Sequence, residues 1–377
     1  MASAAVPFGD LKRQYEAMRP ELDAAIAHTL ASGWYILGEQ VAAFEAEFAA
    51  YSGASHCVGV ASGAEALYLA LAALGIAPGD EVITVANACM YQVAAILQVG
   101  ALPVLVEVDP ATQNMSPAAF EAAITPATRA VIPVHLFGRM ADMPAIMDIA
   151  LGHDLVVVED AAQAHGAFLL DDQGQPRRAG SWGHLACFSF YPSKNLGAIG
   201  DGGALTTEDF LLAEVLRRLR MYGWGKKYET VEAGGRNSRL DELQAAILRV
   251  KLRYLEHGNQ ARRERAAWYR QLLADLPLAL PVDDPGMVYH LFVITLPDHA
   301  AREHLRQTLL AAGIGCDVHY PLPAHHHPAY AELYAGTVSL PVTEDLAGRI
   351  LSLPMFPELT RAEIERVCAV VREGVAR

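Results

Sequence analysis

The chain is poor in cysteine, and its five residues (Cys57, Cys89, Cys187, Cys316 and Cys368) form no Cys-x-x-Cys pair. An odd count without close spacing argues against a disulfide scaffold and points to reduced thiols in the cytoplasm. Long apolar runs are lacking too. The stretch Ala94 to Val108 is broken by Gln98, Gly100, Pro103 and Glu107, so no membrane span is expected. Met1 to Asp10 has neither a basic start nor an apolar core, and no signal peptide is expected. Positive charge is in deficit: 29 Lys and Arg against 43 Asp and Glu give a net charge of −14. That argues against nucleic acid and anionic membranes as partners, but leaves room for a local basic pocket. Neither a Walker loop nor a dinucleotide Gly-x-Gly-x-x-Gly follows a strand. The glycines at 197, 200, 202 and 203 follow a lysine with the wrong spacing.

What is present is a globular composition, 53% apolar and 19% charged over 377 residues, enough for two domains. From about residue 40 to 210, short β-rich runs alternate with helical patterns. His56 to Val60, Glu81 to Val85, Pro103 to Val108, Ala130 to Val134 and Leu155 to Val158 read as strands. Val41 to Tyr51, Ala64 to Leu74, Met90 to Gln98, Pro117 to Ile124 and Met143 to Leu151 read as helices. This alternation predicts a mostly parallel sheet covered on both faces, with ligands outside the carboxyl ends of its strands. Leu240 to Ala267 reads as one long helix and Leu276 to Pro285 as a linker. Beyond Tyr289, strands at Leu291–Leu296 and Cys316–His319 alternate with helices at Ala300–Ala312 and Arg361–Val375. The expected division is a large domain over 1–250 and a smaller α+β domain over 251–377.

Lysine is scarce, and Lys194 stands in an unusual setting. It lies in Phe188-Ser189-Phe190-Tyr191-Pro192-Ser193-Lys194-Asn195-Leu196-Gly197, between an apolar run and a glycine-rich stretch. An apolar setting favours an unprotonated amine, the form a nucleophile needs. Asp160 closes the apolar run Leu155 to Val158. A carboxylate there can keep a proton on a heterocyclic nitrogen, or simply cap a helix. A Schiff-base lysine and a carboxylate facing a ring nitrogen are the pair that pyridoxal 5'-phosphate chemistry requires. Ser62-Gly63-Ala64, at a strand-to-helix turn, offers N–H groups and a helix dipole to a phosphate. The run His325-His326-His327 sits among prolines 321, 323 and 328; adjacent histidines make poor metal ligands, so no metal is expected. His319 and Tyr320 are better placed to touch a polar substrate.

These segments together resemble the DegT/DnrJ/EryC1/StrS sugar aminotransferases. The resemblance rests on Glu159-Asp160-Ala161-Ala162-Gln163-Ala164-His165-Gly166, on Phe188 to Leu196, and on Asn237-Ser238-Arg239-Leu240-Asp241-Glu242-Leu243-Gln244-Ala245-Ala246. Pro7-Phe8-Gly9-Asp10-Leu11 and Gly33-Trp34-Tyr35-Ile36-Leu37-Gly38 match as well. It implies the fold type I architecture of pyridoxal phosphate enzymes, aspartate aminotransferase-like, and a homodimer. The N-terminal segment, to about residue 30, would then pack on the small domain.

Carried over residue by residue, the resemblance makes Lys194 the lysine that bonds the cofactor and Asp160 the partner of its pyridine nitrogen. Gln163 bonds the phenolic oxygen. Ser62, Gly63, Ala64 and Ser189 hold the phosphate, and Asn237 reaches it from the partner subunit. Tyr191, His319, Tyr320 and His325 fall on the substrate side, and Lys226, Lys227, Arg236 and Arg239 lie near the dimer-facing loop. The form of the Tyr191–Ala198 segment, with Val134-His135-Leu136-Phe137-Gly138, is most similar to the branch acting at C3 of a nucleotide-linked keto-sugar with L-glutamate as amino donor. Alternatives are a cyclitol aminotransferase, a related sugar dehydratase and a non-catalytic pyridoxal phosphate-binding regulator. Two departures stand out. Cys89 occupies the place of the family's ring-stacking aromatic, so that either its thiol or a shifted Tyr91 covers the ring. Ala64 replaces a hydroxyl residue of the phosphate turn.

Overall fold

The computed structural model describes residues 5–336 and 338–375. Its strands in chain order begin with β1 (His56–Val60), β2 (Glu81–Val85), β3 (Leu102–Val106), β4 (Thr128–Ile132) and β5 (Val156–Asp160). A small hairpin, β6 (Phe168–Leu170) and β7 (Pro176–Arg178), leads to β8 (Leu185–Ser189) and β9 (Gly203–Thr207). A second, β10 (Trp224–Lys226) and β11 (Glu229–Thr230), follows, and β12 (Phe292–Thr295) and β13 (Ile350–Leu353) come last. The helices are α1 (Leu11–Ser32), α2 (Glu39–Ser52), α3 (Gly63–Ala73), α4 (Tyr91–Gln98), α5 (Pro117–Ala122), α6 (Met143–Gly152) and α7 (Phe210–Leu219). The long α8 (Glu242–Leu273) precedes α9 (His299–Ala311), α10 (Ala331–Tyr334), α11 (Pro341–Arg349) and α12 (Arg361–Val375).

The main sheet has seven strands in the order β1-β9-β8-β5-β4-β2-β3. Pairs among β3, β2, β4, β5 and β8 are parallel, whereas β9 runs antiparallel to both β8 and β1. Side chains of a strand alternate between faces, and here both faces are covered. Ile83, Val131 and Val157 join a core with Phe44 and Phe48 of α2 and Leu248 of α8. Their neighbours Val82, Ile132 and Val158 join a second core with Leu67 and Leu71 of α3 and Leu216 of α7. That double cover is why the strands read as unbroken apolar runs.

α8 also fixes the start of α2. The buried Glu242 carboxylate accepts the N–H groups of Gly38, Gln40 and Val41 at 2.8–2.9 Å. An anion among free N–H groups at a helix start satisfies donors that have no intrahelical partner. A Cβ on Gly38 would come within 2.9 Å of Glu242 Oε2, so the approach needs glycine.

After α8, β12 and β13 form an antiparallel pair with Phe292 opposite Leu353; α9 lies next to β13, and α12 packs on α9 and α8. At the N-terminus, Val6 bridges Ile314, Arg13 pairs with Glu363 of α12 at 2.7 Å, and Leu22 of α1 packs on Ile247 and Val250 of α8. The expected boundary at residue 250 falls inside α8. Cys316–His319 is not a ladder strand: Asp317 makes a single bridge to Ser352. Leu276–Pro285 is free of helix, and within it Ala279 bridges Thr295. No helix of the described residues is long and apolar enough to cross a membrane.

Candidate active site

Three of the central chain turns converge at the carboxyl ends of the strands. β1 runs into Ser62, the N-cap of α3, whose Oγ accepts the Glu65 N–H at 3.2 Å. Gly63 and Ala64 hold the first two helical positions, where N–H groups have no intrahelical acceptor. A Cβ on Gly63 would lie 2.6 Å from Ser189 Cβ at the end of β8. Glycine therefore lets the α3 terminus and the β8 end close on one space. β5 ends at Asp160 itself. Beyond β8, the chain turns so that the Lys194 N–H donates to the Tyr191 carbonyl at 2.8 Å. The turn is tight, since a Cβ on Gly197 would lie 2.3 Å from the Pro192 oxygen.

These ends enclose a cavity of about 490 Å³. Ser62, Gly63, Ala64, Cys89, Asp160 and Gln163 line it, as do Ser189, Tyr191, Lys194, His319 and Tyr320. Eleven residues singled out in the sequence thus share one wall system. A larger cavity, about 570 Å³, lies between α1 and α8 around Gln14 and Lys251, and none of the eleven lines it.

Asp160 is 4% exposed. Its Oδ1 accepts the Ala162 N–H at 3.0 Å and its Oδ2 accepts Gln92 Nε2. Burial pushes its carboxyl above the usual range, against the opposing pull of those donors and of Lys194 and His135. The half-buried Lys194 amine is pushed down by burial, with Asp160 and Cys89 opposing. The two shifts have one cause, an environment that disfavours charge on either group alone.

Gln163 is held at both ends of its amide: Oε1 accepts the Phe137 N–H at 2.7 Å and Nε2 donates to Tyr320 Oη at 3.0 Å. His319 hydrogen-bonds Ser352 Oγ through Nδ1 at 2.8 Å and stacks on Phe8, and burial lowers its pKa. Next to Asp160 in sequence, Glu159 is fully buried. Burial works to raise its carboxyl, but the His135 bond at 2.9 Å and the Gly180 and Gly183 N–H groups outweigh it and leave it low.

Two predicted residues lie elsewhere. Asn237 is exposed and does not line this cavity; its neighbour Ser238 accepts the Ala61 N–H through Oγ at 3.3 Å. His325 bonds Glu344 at 3.0 Å. His325, His326 and Glu344 bring ligand-type atoms within 4.8 Å of one another, and that hydrogen bond occupies the first pair. Of the basic residues near the dimer-facing loop, Arg236 pairs with Glu65 at 3.0 Å and lies over the Tyr68 ring, while Lys226 and Lys227 are exposed. Cys89 and Tyr91 both line the cavity, and Tyr91 is 56% exposed.

Sequence reasoning passed over Gln92 and His290, which also line the cavity. A glutamine on the apolar face of α4 was the available signal for the first. His290 is buried and bonds Asn195 Oδ1 at 3.1 Å, one residue from Lys194. Burial, then the Lys194 charge, lowers its pKa.

The sequence profile of the DegT/DnrJ/EryC1/StrS aminotransferase family matches residues 16–372. The chain belongs to that family. It is 49% identical over 375 residues to the dTDP-3-amino-3,4,6-trideoxy-alpha-D-glucose transaminase of Streptomyces venezuelae, covering 99% of this chain and 97% of that one. Among solved structures, S. venezuelae DesV in complex with a ketimine intermediate superposes with a TM-score of 0.94 at 49% identity, over 100% of both chains. NtdA of Bacillus subtilis, with bound cofactor PMP, has a TM-score of 0.92 at 31% identity, covering 100% of this chain and 87% of that chain. The fold of this family member is that of its aminotransferase relatives, an α/β architecture around a large, mostly parallel sheet.

Proposed function

We propose that this protein is a pyridoxal phosphate-dependent aminotransferase. It transfers the amino group of L-glutamate to the keto group of a nucleotide-linked deoxysugar, dTDP-linked and aminated at C3. The observation that carries the proposal is that Lys194 and Asp160 line one cavity together with a phosphate-type helix start at Ser62–Ala64.

The donor set fits the cofactor. A buried acid suits a protonated ring nitrogen, and the Gln163 amide suits a phenolic oxygen. Free N–H groups at Gly63 and Ala64, with the Ser189 hydroxyl, suit a phosphate. Gln92 Nε2 donates to Asp160 Oδ2 and so holds that acid where it lines the cavity. Once bound, pyridoxal phosphate supplies the electron sink that makes the Cα–H of an amino acid acidic. Asp160 keeps the ring nitrogen protonated. Lys194 Nζ, whose burial favours the neutral amine, would take the Cα proton of glutamate and in the return half-reaction give up the proton that the sugar carbon receives. Glutamate leaves as 2-oxoglutarate, and the sugar leaves as an amine. Tyr191, His319 and Tyr320 face the substrate.

The name of the relative at 49% identity supports the sugar class. We further propose a homodimer in the cytoplasm, with a large pyridoxal phosphate-binding domain (1–250), a smaller C-terminal domain (251–377) and Asn237 completing the partner's phosphate site. The test is product analysis with glutamate and a dTDP-3-keto-6-deoxyhexose. Gain of an amine matched by 2-oxoglutarate supports the reading. Loss of water from the sugar points to the dehydratase, and no turnover with any amino donor points to the regulator.

A further inference from the structure

Gln92 is the second residue of α4, and its side chain is 3% exposed. Among the described residues it is the one side chain that donates a hydrogen bond to Asp160. With the Ala162 N–H on the other oxygen, the carboxylate has one donor on each side and its plane is fixed. The second atom of the Gln92 amide, Oε1, is buried and without a partner among the described residues, while both Gln92 and Asp160 line the cavity. The reverse amide orientation would set oxygen against oxygen, which an ionised carboxylate does not tolerate. The amide is therefore committed to its donor orientation, and Asp160 is the acid that lines the cavity beside it. Such a carboxylate suits a ligand that brings an N–H donor, such as a protonated heterocyclic nitrogen, and repels one that brings a second anion.

We propose that Gln92 is a positioning residue that sets the orientation and charge of Asp160 toward the cofactor's ring nitrogen. This rests on reading the site as a pyridoxal phosphate site. Burial works against the Asp160 charge, and the groups around it divide in sign. Lys194 and His135 favour ionisation, while Glu159 lies beside it in sequence and Cys187 and Tyr320 also feel its charge. His135 accepts the Ala141 N–H at Nδ1, so its proton sits on Nε2 and faces Glu159 rather than Asp160. Gln92 thus supplies a neutral donor that keeps the buried acid ionised without adding a charge to the pocket.

The test uses holoenzyme and the pH titration of the cofactor's visible band. Gln92→Met keeps the side-chain length and removes the donor. A ring nitrogen with a weaker hold on its proton carries less positive charge, so the nitrogen joining the cofactor to Lys194 keeps its own proton to higher pH. The band midpoint is expected to rise by about 0.5–1 pH unit. kcat is expected to fall about tenfold, with KM for glutamate within about twofold of the parent. An unchanged midpoint in folded Gln92→Met, whatever its activity, overturns the proposal and leaves Gln92 as packing alone. If circular dichroism shows that Gln92→Met does not fold, Gln92→Leu, which also lacks the donor, takes its place. The same rise in midpoint is expected, and an unmoved midpoint is again fatal. A wild-type protein that shows no visible band with pyridoxal phosphate overturns the site reading itself, a result seen before any variant is made.

Discussion

At the scale of single residues, the proposed chemistry rests on two groups whose charges are each disfavoured by burial and favoured by the other. The Asp160 carboxyl is pushed up and the Lys194 amine down, both chiefly by desolvation. A cation bound beside Asp160 would relieve the acid. Asp160→Asn keeps the shape and removes that charge. Its kcat is expected to fall about 10²–10³-fold, as for loss of a preorganised electrostatic group, with cofactor still bound in an absorbance titration. Retention of parental kcat would mean that the ring nitrogen needs no acid here. Lys194 and Asp160 were legible in the sequence because each is marked by its neighbours, an aromatic and glycine setting for one and a strand end for the other. Gln92 carries no such mark. Its one signal, a glutamine at helical spacing from Ala95 and Ile96 on the apolar face of α4, says that it is buried but not that it meets Asp160.

Among the elements, the parallel strands were readable because both faces are buried, which removes alternation and leaves apolar runs. Their order was not. β9 inserts between β8 and β1 against the direction of both, and nothing local to Gly203–Thr207 encodes that neighbour choice. Cys316–His319 misled for the opposite reason. Its alternating apolar residues suit a strand, but the segment is held by one bridge rather than a ladder. The segment around Glu242, part of the family resemblance, has a structural cause in the three N–H groups it accepts at the start of α2. Glu242→Ala leaves those donors without their anion and is expected to cost about 2–3 kcal/mol in urea unfolding. A change below about 0.5 kcal/mol would show that water replaces the carboxylate.

For the whole molecule, the proposed dimer accounts for what one chain leaves open. Asn237 is exposed, off the cavity of its own chain, and the Trp34, Tyr35, Tyr191 and Ile199 side chains are half or more exposed. Composition and spacing give neither fact a role, because the role depends on a second surface; for Asn237 the family resemblance alone supplied one. Subunit exchange tests it. Mixing Lys194→Ala protein with Asn237→Ala protein builds mixed dimers in which one site has both residues intact. Activity is expected to appear on mixing, approaching half of the wild-type rate per mixed dimer. Activity no higher than the sum of the two parents would place each site within one chain.

The amine is the centre of the account, and Lys194 has a rival. Lys251 is also pushed down by burial, to about 8, although it faces the other cavity and donates to the Gly197 carbonyl at 2.7 Å. Borohydride reduction of the pyridoxal phosphate-loaded protein, followed by peptide mass spectrometry, separates the two. A phosphopyridoxyl mass on the peptide that carries Lys194, and on no other lysine, is the predicted result. The same mass on Lys251, or a protein left unlabelled, would contradict the account.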